Sequence, residues 1–260
     1  MTKDRKLGGP RQRSRTKTIV TVAGGTIVAG AIVVLGLAWW LGYFEEPPAE
    51  ASLEDAVASV QSDDDTETTT VGESADTESD STFAGVWIVD GTSDITFAGY
   101  RINEVLTTIG DFEVVGRTSE VEGEVVIDGL TITSAEFEVD MQSVTTDNDR
   151  RDASMREQSL ETDQFPTSQF VLTEPIEIGD PPASGSSISV TAVGDLTIHG
   201  VTQSVSFPLE AQPVGDTIVV VGQLDILLTD YGIDPPQAPI VAGVDDQAVL
   251  ELSVALTQSS

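Results

Sequence analysis

The chain has 260 residues, no cysteine, one histidine and a formal net charge of −32. Without cysteine there is no disulfide, no thiol nucleophile and no thiolate metal site. With 44 acidic residues against 12 basic ones, most of its surface repels nucleic-acid phosphate and anionic lipid.

The charge is divided unevenly. Residues 1–17 hold seven basic side chains and one acid, Asp4, which leaves five basic residues in everything that follows. Residues 18–44 carry no charge. A helix needs about 20 apolar residues to cross a bilayer, and this run is long enough. Trp39, Trp40 and Tyr43 stand at its end, where an aromatic belt belongs. The basic flank keeps the N-terminus in the cytoplasm under the positive-inside rule, so the rest of the chain is predicted to be extracytoplasmic. A cleavable signal has a shorter apolar core, and the small-x-small match, Ala49-Glu50-Ala51, lies among acids and prolines. The expectation is therefore a retained single-pass anchor over 18–44, behind a basic cytoplasmic tail, 1–17.

Residues 45–81 contain no basic residue and few large apolar ones. Such a segment buries too little to offset chain entropy, and is expected to be a disordered acidic linker. As a flexible stalk it would span roughly 30–40 Å. Leu53 to Val60 is expected to form at most one or two weak helical turns.

From residue 82 to 260 the apolar pattern has period two. Ala135, Phe137, Val139 and Met141 alternate with polar residues, as do Ile188 to Ile198, Val205 to Ala211 and Ala248 to Leu256. One apolar and one wet face per strand is how antiparallel sheets read. Asp128-Gly129 and Val214-Gly215-Asp216 mark hairpins. The apolar phase flips between Ile132 and Ala135, which predicts a bulge near Thr133–Ser134. Gly194, inside a long strand, predicts a bend or bulge. One short helix is expected over Asp152–Glu157, with Ser154 and Glu157 as a capping box, and Pro166 ends it before the next strand. Eight or more regular strands and one helix argue a closed antiparallel barrel or a sandwich.

The motifs in this part resemble the YceI-like family of polyisoprenoid-binding, lipocalin-like barrels. They are Trp87-Ile-Val-Asp90, Ser93-Asp-Ile-Thr-Phe97, Gly110-Asp-Phe112, Asp140-Met-Gln-Ser143, Arg151-Asp152 with Met155-Arg156, Phe165-Pro166, Asp195-Leu-Thr-Ile-His199-Gly200 and Asp230-Tyr231-Gly232. The resemblance spans about residues 85–257, although 98–109 lacks a His that many relatives carry there. It implies an all-β antiparallel barrel of about eight strands and one short helix, holding a long isoprenoid tail, without catalysis and without a cofactor. The implied partners are an isoprenoid or other long-chain lipid and, through the N-terminal helix, the membrane.

The candidate ligand-binding residues are Trp87, Phe97, Phe112, Phe137, Met141, Phe170, Phe207, Tyr231, His199, Arg151 and Arg156. The aromatics can line a lipid cavity or fill a solid core, since an eight-stranded barrel sits between these outcomes. A solid barrel would make the domain an envelope interaction module. His199 can hydrogen-bond a head group, act as a base, or simply open the turn at Gly200. One histidine without cysteine does not make a zinc site. Arg150, Arg151 and Arg156 can clamp an anion or pair with neighbouring acids. Asp147-Asn-Asp149 lacks the glycine and distal Glu of a calcium loop.

Overall fold

The computed structural model describes residues 47–64, 83–107, 110–179, 185–235 and 241–259. The predicted tail, the predicted anchor over 18–44 and the linker residues 65–81 lie outside the described residues. Among those described, no helix is long and apolar enough to cross a membrane.

The strands are β1 (Gly85–Val89), β2 (Phe97–Leu106), β3 (Gly110–Thr118), β4 (Val121–Asp128), β5 (Thr131–Asp140), β6 (Thr167–Leu172), β7 (Ile176–Glu177), β8 (Ile188–Ile198), β9 (Val201–Val214), β10 (Thr217–Leu227) and β11 (Val241–Gln258). Eight of them close a ring in the order β1-β4-β5-β6-β8-β9-β10-β11, with β11 returning to β1. Every pairing in the ring is antiparallel. Ahead of its pairing with β1, β11 pairs with β2 from Val241 to Ser253, and β3 pairs with β2. A bridge from Arg117 to Thr145 ties this added hairpin to the segment after β5.

Local chemistry explains the joints. Thr217 pairs with Val214, so Gly215-Asp216 is a two-residue turn, with φ +57° at Gly215. The expected bulge is present: Val126 pairs with Ser134 and Ile127 with Ile132, leaving Thr133 as the extra residue. Gly194 carries no bulge, because β8 pairs with β6 and β9 in unbroken register through it. A Cβ there would lie 2.5 Å from the Phe170 ring, and one at Gly123 equally close to Phe137. These glycines make room for inward aromatic rings.

The helix is displaced from its expected place. It runs Asp149–Ser154 and is capped by Asn148, whose side chain accepts from the N–H groups of Arg150 and Arg151. Ser154 makes no side-chain cap bond. Asn148 wins because it sits in extended backbone with its amide oxygen aimed at the free N–H groups, which is the N-cap geometry. A π-turn, Met155–Ser159, follows directly.

The largest difference from expectation lies before the barrel. Leu53–Asp64 is a 12-residue helix, α1, packed on β9 and β10, and residues from Pro47 onward belong to the same compact unit as the barrel. Leu53, Ala56, Val57 and Val60 recur at helical spacing. They cover a second apolar cluster with Ile95, Val219, Val221 and Ala255 on the outside of the barrel. Ser52 caps the helix by accepting from the Asp55 N–H, and Glu54 and Asp55 suit the positive end of its dipole.

Below that helix lies a buried ionic cluster. Glu251 is fully buried and accepts from Arg101 Nε at 2.7 Å, Arg117 Nη2 at 2.8 Å and the Ala51 N–H at 3.0 Å. Arg101 donates onward to the Pro48 carbonyl and Arg117 to that of Ala49. The strap at 48–51 is thus held by its backbone. Burial alone would raise the Glu251 pKa. The hydrogen bonds from Arg101, Arg117 and Ala51 outweigh it and hold the carboxyl below its ordinary range.

Candidate functional site

The barrel interior is not solid. A cavity of about 170 Å³ opens between β2, β3, β5, β6, β8–β11 and residues 141–160. A smaller one of about 90 Å³ lies toward the other end, lined by Phe83, Val125, Ile127, Ile188, Val220 and their neighbours. Phe137, Phe170 and Leu209 border both. Phe170 and Phe207 meet edge to face with centroids 6.2 Å apart. The partition between the two spaces is therefore aromatic.

Of the residues singled out in the sequence, Phe137, Met141, Phe170 and Phe207 line the larger cavity. Trp87 is buried in the main core, its indole N–H on the Phe83 carbonyl at 2.8 Å, but it lines neither cavity. Phe97 lies on the opposite face of β2 beneath the Arg117 guanidinium, 4.1 Å from ring centroid to charge. Phe112 packs against Arg151. Tyr231 is buried in the core, and its hydroxyl has no hydrogen-bond partner among the described residues.

His199 also stands away from the cavities. It occupies the β8–β9 turn with φ +52°, one of two non-glycine residues with positive φ among those described. Its Nε2 is 3.0 Å from Glu161 Oε2, its Nδ1 3.3 Å from the Tyr231 carbonyl, and Phe165 stacks edge-on at 4.5 Å. These contacts fasten residues 161–165 and 228–231 to the turn.

The arginines are already engaged. Arg151 pairs with Asp147 and stands 3.9 Å from Glu104, and Arg156 donates to the Val144 carbonyl at 3.1 Å. Asp147-Asn-Asp149 is accounted for by this ion pair and the helix cap.

Sequence reasoning missed the polar end of the cavity. Tyr100 and Glu104 both line it, as do Met155, Ser159 and Leu160 of the π-turn and its C-cap. Tyr100 donates to Met155 Sδ at 2.8 Å. Glu104 is 5% exposed, and burial pushes its pKa up, with Asp147 adding to the rise and Arg151 opposing it. Burial likewise raises Tyr100. A signal was available: Ala98, Tyr100, Ile102 and Glu104 share one strand phase, so a carboxyl stood on the apolar face.

Residues 87–256 match the model of the YceI-like domain. The chain belongs to the YceI-like family. A curated relative, a UPF0312 protein of Shewanella denitrificans, is 29% identical over 149 residues, covering 53% of this chain and 73% of its own. A polyisoprenoid binding domain from Saccharophagus degradans has the same fold, with a TM-score of 0.53 at 17% identity, covering 66% of this chain and 98% of that one. BcnA of Burkholderia cenocepacia follows at a TM-score of 0.48 and 18% identity, over 64% of this chain and 98% of its own. The YceI-like match begins at Trp87, so α1 and the strap lie outside it.

Proposed function

We propose that this protein binds an isoprenoid lipid in the barrel, without catalysis, and presents it outside the cytoplasm from a membrane tether. The cavity carries this reading: it is walled by apolar side chains on every strand that borders it, with a few polar groups among them. Such a space suits a hydrocarbon chain with one polar terminus. Each methylene moved there from water contributes about 0.8 kcal/mol, so affinity accrues along the chain without a charged contact. The fold shared with the Saccharophagus polyisoprenoid binding domain supports the choice of ligand class. The basic tail and the uncharged run of 18–44 support the tether.

Native mass spectrometry on the full chain, made in a cell that synthesises isoprenoids, tests this. The expected spectrum shows a 1:1 adduct with a prenyl-chain mass, lost on lipid extraction and regained on adding prenyl lipid. A bare mass that takes up no added prenyl lipid would instead make the domain an envelope interaction module.

A further inference from the structure

Six polar side chains border the cavity, and three of them are spent: Ser168 donates to the Thr197 carbonyl, Gln169 to Glu136, and Glu251 is held by Arg101 and Arg117. The other three are Tyr100 and Glu104, at alternate positions of β2, and Ser159 of the π-turn. That turn is closed by the Leu160 N–H on the Met155 carbonyl at 2.8 Å. Its wide pitch brings Met155, Ser159 and Leu160 onto the cavity wall together.

Two of these groups hold unspent hydrogen-bonding capacity. Ser159 is 4% exposed, and its hydroxyl has no partner among the described residues. An unpaired buried hydroxyl costs free energy that a ligand oxygen can recover. The Tyr100 hydroxyl donates to a thioether, a weak acceptor, and its own oxygen can still accept. Among the described residues, Glu104 meets no donor closer than Arg151 at 3.9 Å.

The surroundings disfavour an anion. The Arg151 guanidinium is taken up by Asp147 and also lies 3.5 Å from Thr146 Oγ1. Asp152, itself buried, holds the N–H and hydroxyl of Thr146. Glu104 and Asp147 therefore share one guanidinium, and Asp152 lies just across Thr146 from it. Neither Arg150 nor Arg156 lines the cavity. A diphosphate would bring further negative charge to a place with no free cation among its lining residues, and such juxtapositions select against a ligand.

We propose that Glu104, Ser159 and Tyr100 form a subsite for the uncharged head of the isoprenoid, a hydroxyl or carbonyl oxygen, and that the subsite rejects the corresponding diphosphate. This rests on the lipid-binding reading above and names the head group that reading leaves open. Glu104 accepts from a ligand hydroxyl. Ser159 donates or accepts, and Tyr100 accepts from a ligand hydroxyl. The charged groups facing Glu104 are Arg151 and Asp147, with Tyr100 beside it on the strand.

The test offers the delipidated full chain equal concentrations of geranylgeraniol, geranylgeranyl diphosphate and the saturated hydrocarbon phytane, read by native mass spectrometry. The alcohol is expected to bind at least tenfold more tightly than the diphosphate and about tenfold more tightly than the hydrocarbon. Ser159→Ala combined with Glu104→Leu should erase the advantage over phytane and leave phytane binding within twofold. Glu104→Gln keeps an acceptor and should retain most of that advantage. A diphosphate that binds as well as the alcohol overturns the subsite. So does a double variant that loses alcohol and hydrocarbon in equal measure. Failure of all three probes, phytane included, overturns the lipid-binding reading itself.

Discussion

Glu251→Ala should destabilise the barrel unit by about 3–5 kcal/mol, measured by denaturant unfolding of the full chain. The physical cause is the charge it leaves behind. Arg101 and Arg117 converge on this carboxylate from two strands, and Arg101 is almost wholly buried. With the carboxylate gone, Glu113, at 2.9 Å, is the one carboxylate left on Arg101 among the described residues. Replacing all three cluster residues with apolar ones of similar size, Arg101→Met, Arg117→Met and Glu251→Leu, should cost far less, because no charge is then stranded. The same substitution should expose the strap. The Ala51 N–H loses its acceptor, and the arginines that hold the Pro48 and Ala49 carbonyls lose their counter-charge. Limited proteolysis within residues 47–64 should then become faster than cleavage in the barrel. A loss below about 1 kcal/mol would mean that solvent reaches the cluster and screens it, as at surface pairs.

The two buried glutamates act oppositely on stability as pH changes. The folded-state pKa of Glu251 is lowered, so its contribution is complete above the ordinary carboxylate range and is lost as pH falls through the lowered value. That of Glu104 is raised, so its contribution is complete below the ordinary range and is lost as pH rises through the raised value. Unfolding titrations should show Glu104→Gln flattening the decline on the alkaline side of the carboxylate range, and Glu251→Gln flattening the decline on the acid side.

Most of the barrel was legible because period two is a strong signal where one face is wet and the other buried. Strands such as Val121–Asp128 and Thr131–Asp140 follow it closely, and the phase flip at Thr133 gave the bulge its position. β10 broke the rule, and there lay the missed information. Ile218-Val-Val-Val221 is apolar on both faces because Ile218 and Val220 pack inside while Val219 and Val221 lie under α1. A continuous apolar run in an otherwise alternating barrel announces a cover, and Leu53, Ala56, Val57 and Val60 supply it. The acidic composition of 45–81 masked that spacing. Likewise Arg101, Arg117 and Glu251 read as ordinary outward polar positions, because nothing local shows that three distant strand residues meet under one strap. The candidate site was half legible. Inward aromatics follow from strand phase, whereas Ser159 reaches the cavity only through a π-turn that the capping-box reading had placed one turn out of register.

The aromatic partition yields the last expectation. Phe137 borders both cavities, and its ring fills the space that Gly123 leaves open. Phe137→Ala should therefore merge the two spaces into one longer channel. Removing the ring from a core costs about 3–5 kcal/mol in the empty protein, since the surrounding barrel relaxes only partly into the void. Ligand should return part of that loss: at a hundred times its Kd, a molecule that binds only the folded state adds about 2.7 kcal/mol. Chain length is the discriminating variable. Among neutral prenols of increasing length, the native barrel should favour the chains that end at the partition of Phe137, Phe170 and Leu209. The variant should move that preference to longer chains, with thermal shift recorded at fixed ligand concentration. Phe97→Ala provides the contrast, because Phe97 lies outside the barrel against Arg117 and should leave the length preference where it was. An unchanged preference in Phe137→Ala, with affinity per folded molecule intact, would return these rings to the status of ordinary core. A shifted preference would show that the aromatic partition is the ruler against which the chain is measured.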